Sequence, residues 1–182
     1  PAGWEIAGEK EIVTALKRDK FVEYFNSHYV AENTIVAVAG NVDSEELKNK
    51  VESYFKTIRH GKSIGKLAVI EKQDKPELAV NYKKTDQTHF ILGLRAFDMF
   101  DDRKYALSVL SKILGGGMSS RLFYEVRERR GLAYYVRSEI NPYTDSGYLS
   151  ISAGVNNEKA LDAVKVILDE VNKIKVDNIT EK

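Results

Sequence analysis

Residues 115–155 constrain the fold more than any other part of the chain: GGGMSSRLFYEVRERRGLAYYVRSEINPYTDSGYLSISAGV. Leu122, Phe123 and Val126 recur at the i, i+3 and i+4 spacings that set apolar groups on one helix face, so SSRLFYEVRERR reads as a helix. Gly131 stands where a left-handed C-cap would close that helix, because glycine has no Cβ to oppose the conformation. Two alternating runs follow, LAYYVRSEI and GYLSISAGV, joined at NPYTDS. Tyr148, Ser150 and Ser152 alternate with Leu149, Ile151 and Ala153, the period-2 pattern of a strand with one buried face. The rest of the chain reads as a scaffold around this helix and hairpin.

In chain order, residues 1–8 form a connector with two glycines, and short helices are expected over 9–16 and 18–28. TIVAVAGNV, residues 34–42, is a nearly continuous apolar run and is expected as a central strand covered on both faces. Asp43 offers an N-cap with Glu46 as its capping-box partner, ahead of a helix whose stripe is Leu47, Val51, Tyr54, Phe55 and Ile58. Residues 60–66 are a loop, and 77–83 and 87–97 read as strands. Asp101 or Asp102 caps the next helix, and a last amphipathic helix begins near Asn156 or Asn157. The expected order is α-α-β-α-β-β-α-α-β-β-α, an α+β fold: a two-layer sandwich of helices on a mostly antiparallel sheet.

Composition excludes several classes of function. The 28 basic and 27 acidic residues are interleaved and leave a net charge of +1, so nothing suggests a nucleic-acid binder. No apolar run approaches the roughly 20 residues that cross a bilayer, so no membrane partner is expected. The chain has no cysteine, which removes disulfides and thiolate chemistry and fits a reducing compartment, with the cytoplasm as the expected location. Its start at Pro1 suggests an excised piece, in which case a targeting signal would have gone with the missing N-terminus.

A zinc hydrolase needs imidazoles and a carboxylate, usually with two ligands one helical turn apart. His28, His60 and His89 are the three histidines; none pairs with another at i+4, so they read as structural or surface groups and no metal site is expected here. HGKS at 60–63 lacks the upstream glycine of a phosphate-binding loop, since Lys56 stands in its place. GGGMSS before a helix fits an anion-binding turn, but a flexible helix-to-helix connection explains it as well.

MSSRLFYEVRERRGLAYYVRS, with TDSGYLSISAGV after it, closely resembles the C-terminal, zinc-free domain of the M16 zinc peptidases (pitrilysin, insulinase and mitochondrial processing peptidase). GWEIAGEKEIVTALKRDKFVEYFNSHYVAENTIVAVAGNVDSEEL resembles the segment leading into that domain, so the likeness covers nearly the whole chain. The resemblance implies an α+β domain over 16–182, preceded by a linker over 1–15 from a catalytic domain. It implies that this domain closes a chamber over an extended peptide while zinc is held by the other domain, in the same chain or a second subunit. The fragment alone would then be inactive and free of cofactor. Arg127 and Tyr134 fall on the family's Arg and Tyr positions, with Gly131 and Leu132 between, and would contact the substrate and the transition state. Both side chains donate hydrogen bonds to a carbonyl oxygen gaining charge. Gly116 and Gly117 would belong to a pliable loop beside the peptide. From the residues alone, Arg127 pairing with carboxylates and Tyr134 packing in the sheet stays open. Other readings are a non-catalytic M16-like scaffold subunit, an unrelated module binding peptide at a sheet edge, and self-association of two copies through a face left without its partner.

Overall fold

The computed structural model describes residues 4–72, 74–80 and 82–176, and the chain divides into two compact units, 1–69 and 70–182. In the first unit, α1 is Lys10–Ala15, α2 is Arg18–His28 and α3 is Ser44–Phe55. The α3 cap forms as expected, with the Asp43 carboxylate accepting from the Glu46 N–H at 2.8 Å. Glu46 directs its own carboxylate to Lys50 one turn on, an i, i+4 pair in place of the second arm of a capping box.

Residues 34–42 correct the sequence reading. No ladder forms there, and Ile35 is 93% exposed. An apolar run asks for burial, but a strand needs a second backbone edge to take its N–H and C=O groups, and no described residue supplies one. Gly40, at φ 151°, also interrupts the run in a region of backbone space that favours glycine. The strand expected over 77–83 is absent among the described residues for the same want of an edge; residue 81 lies outside them.

The second unit carries the helix and hairpin. Its elements are β1 (Gln87–Arg95), α4 (Arg103–Gly115), a π-helix (Phe123–Glu128), β2 (Ala133–Pro142), β3 (Gly147–Asn156) and α5 (Ala160–Val176). The sheet is antiparallel throughout, in the order β1-β3-β2. The architecture is therefore α+β, with helices packed on a sheet of three strands. Central β3 explains the alternation: Ile151, Ala153 and Val155 are fully buried, and Ala153 stands between Phe90 of β1 and Val136 of β2. Leu122 and Val126 from the π-helix segment and Ile167 from α5 close over that face, all at 0% exposure. Each such side chain contributes about 1.5–3 kcal/mol, more than an exposed ion pair at about 0–1 kcal/mol. The core, not the charged surface, holds these elements together.

Capping and close approach fix α4. The Asp101 carboxylate, not that of Asp102, accepts from the Arg103 N–H at 2.9 Å, and the α5 end of the hairpin starts with Asn156 accepting from the Glu158 N–H at 2.9 Å. At its other end α4 lies directly on β2: a Cβ on Gly115 would stand 2.6 Å from the Ser138 nitrogen, so only glycine fits. Ser111 and Ser138 share a buried hydroxyl contact of 3.1 Å at this crossing.

Candidate functional site at the helix–hairpin junction

Two backbone irregularities meet between residues 123 and 135. The first is the π-helix, where the Arg129 N–H reaches back five residues to the Tyr124 C=O at 2.8 Å. Such widened turns recur at functional sites. The second is a β-bulge. Ala133 opposes Val155 and Tyr135 opposes Gly154, so Tyr134 is the extra residue between them. A bulge re-aims the side chain it carries.

The turn between the two is tightly made. Gly131 adopts φ 57°, the Gly131 N–H donates to the Arg127 C=O at 3.0 Å, and the Leu132 N–H donates to the Val126 C=O at 2.9 Å. These bonds return the chain onto the helix it has just left, so Arg127 and Tyr134 flank a single junction. Tyr134 is 55% exposed, and Arg127 is exposed as well.

The four arginines of this segment are sorted by their partners. Arg121 donates to the buried Glu170 of α5 at 3.1 Å, and Lys173 takes the other Glu170 oxygen at 2.7 Å. Arg129 and Arg130 both pair with Glu125, whose carboxyl lies below its ordinary range chiefly because of the Arg130 hydrogen bond. Arg127 has no carboxylate partner among the described residues; its guanidinium lies 5.0 Å from the centre of the Phe123 ring, a cation–π distance. The carboxylate pairing that the sequence left open for Arg127 does not occur there.

The glycines divide in the same way. Gly115 is needed for packing on β2, and Gly116 has Lys112 against it, whereas Gly117 has open space on its Cβ side. Gly116, Gly117, Met118, Phe123 and Val136 border a cleft of ≈ 260 Å³. Phe123 thus links the glycine turn to Arg127. The sequence places Phe123 on one apolar helix face with Leu122 and Val126, and of the three only Leu122 and Val126 are fully buried; the signal for its contact with Arg127 was their i, i+4 spacing.

The histidines each have local partners. His28 stacks on Tyr24 at 3.8 Å, His60 lies 3.5 Å from Glu32, and the His89 imidazole meets the Tyr135 hydroxyl at 3.2 Å. Among the described residues no group of three or more His, Cys, Asp or Glu side chains could hold a metal ion, so the donor set here does not fit zinc. Nor is any described helix long and apolar enough to cross a membrane.

Residues 15–182 match the family model described as the peptidase M16 inactive domain. The chain belongs to that family. An uncharacterized zinc protease of Mycobacterium leprae is 37% identical over 189 positions, and the uncharacterized zinc protease YmxG of Bacillus subtilis is 34% identical over 181. The alignments take in 100% and 99% of this chain but 41% and 43% of those relatives, so the chain spans less than half their length. A peptidase M16 inactive domain from Pseudomonas fluorescens has the same fold, with a TM-score of 0.82 at 24% identity over 96% of this chain and 42% of that one.

Proposed function

We propose that this M16 domain closes a peptide chamber and presents Arg127 and Tyr134 to a scissile bond held at a zinc-bearing M16 half. The observation that carries the reading is the sorting of charges: three of four neighbouring arginines are tied to carboxylates, and Arg127 is left exposed with an aromatic ring beneath it. A guanidinium kept from carboxylates among the described residues is available to a carbonyl oxygen. The bulge at Tyr134 adds a phenolic donor at the same junction. Donors aimed at an oxygen that gains charge lower the barrier because that charge grows towards the transition state. Relatives named zinc proteases, more than twice as long as this chain, support a zinc-bearing partner elsewhere in a longer polypeptide or in a second subunit. The metal would supply Lewis-acid chemistry there, and no cluster among the described residues of this domain could hold it. Residues 1–15 would serve as the linker and Gly116 and Gly117 as part of the peptide-facing turn. The cysteine-free composition fits a cytoplasmic setting.

The test is complementation. Mixing this chain with a zinc-bearing M16 half should give hydrolysis of a quenched peptide, abolished by chelation, that neither half shows alone. Full turnover by the zinc-bearing half without this chain would overturn the reading, and a stable but inactive complex would favour a scaffold.

A further inference from the structure

We propose that Glu125 is a positioning residue for Arg127: it gathers Arg129 and Arg130 across the widened turn and so keeps the Arg127 guanidinium unpaired and aimed outward. The inference rests on the role given to Arg127 above. In an α-helix, residues five apart point roughly 140° away from each other. Here the i→i+5 geometry of the π-helix brings Arg130 back over Glu125. Arg130 makes two contacts to that one residue: its Nη1 pairs with the carboxylate, and it also donates to the Glu125 C=O at 2.8 Å. Arg129 reaches the other carboxylate oxygen at 3.3 Å. The Glu125 side chain is only 16% exposed, so water competes weakly for it. Lys159 adds a bond to the Gly131 C=O at 3.2 Å, holding the turn that follows.

The arrangement does two things for Arg127. It clasps the wide turn from which Arg127 projects, and it ties down the two neighbouring guanidinium groups. With Glu125 neutral, Arg129 and Arg130 lose that anchor and the turn loses its clasp, so Arg127 no longer has a fixed position. Nothing in this requires Glu125 to touch substrate.

The experiment is a double-mutant cycle on peptide turnover by this chain combined with a zinc-bearing M16 half, using Glu125→Gln, Arg127→Ala and the pair. Glu125→Gln should lower kcat about 10-fold, with KM and zinc content little changed, as expected for a misplaced donor. Added to Arg127→Ala, it should cost nothing further. Arg130→Gln opens the same clasp from its other end and should reproduce the kcat loss; it serves if Glu125→Gln does not fold. Glu125→Asp, which keeps the charge, should restore most of the turnover. Multiplying losses in the double variant, or a normal kcat for Glu125→Gln with Arg127→Ala impaired, would overturn the role of Glu125 alone. Full turnover by Arg127→Ala would remove both this inference and the reading it rests on.

Discussion

At the residue scale, what a side chain does here depends on which partner its neighbours have already taken. Four arginines lie within ten positions, and nothing in their spacing says which is free. The pairing of Arg121 with Glu170 is invisible in sequence because 49 residues separate the two. Glu125 with Arg129 was legible as an i, i+4 pair, but Arg130 joining them was not, since the α-helical rule puts it on another face. Asp101 gives a prediction at this scale. Its pKa is lowered from 3.8 to about 2, first by the Arg103 side chain and then by the Arg103 N–H. The unfolded chain therefore takes up this proton more readily than the folded one. The stabilisation is fully present above about pH 4 and is lost as pH falls through about 2. Acid titration of Asp101→Asn should show a shallower loss of stability across that window than the parent; identical profiles would deny the effect.

At the element scale, the hairpin and its alternation were legible because a period of two and a central strand leave a plain mark. The final amphipathic helix was legible for a similar reason. The π-helix was not: the i, i+3 and i+4 spacing of Leu122, Phe123 and Val126 is that of an ordinary α-helix. The strands read at 34–42 and 77–83 do not form among the described residues because pairing belongs to two segments at once, and one segment's composition cannot report it. Gly131 was read correctly, and its φ of 57° sets a cost. Gly131→Ala should destabilise by about 1 kcal/mol, a fall in Tm of about 2–4 °C for a chain of this size. Arg121→Ala should cost about 1.5–2 kcal/mol in urea unfolding because it strips one of two partners from a buried carboxylate that Lys173 still holds, whereas joint replacement of Arg121 and Glu170 by apolar residues should come close to neutral. Equal losses for the two would show that burial of the Glu170 charge is not the controlling factor.

At the scale of the whole molecule, the described residues offer exposed Arg127 and Tyr134 side chains and no cluster that could hold a metal ion. A described donor set that does not fit zinc, beside relatives named zinc proteases that run to more than twice its length, supports the proposed division of labour between two halves. Zinc titrated against this chain alone should show no tight stoichiometric binding, read by calorimetry. The family resemblance in the segment around Arg127 and Tyr134 made the fold class readable in the sequence alone. The charge sorting, the bulge and the aromatic ring under Arg127 needed the fold. The most direct measurement is kcat for peptide hydrolysis by this chain combined with a zinc-bearing M16 half, with Arg127→Ala or Tyr134→Phe in this chain. The account predicts a fall of about 100-fold for Arg127→Ala and a smaller one for Tyr134→Phe, at unchanged zinc content. Parental turnover in both variants would contradict it.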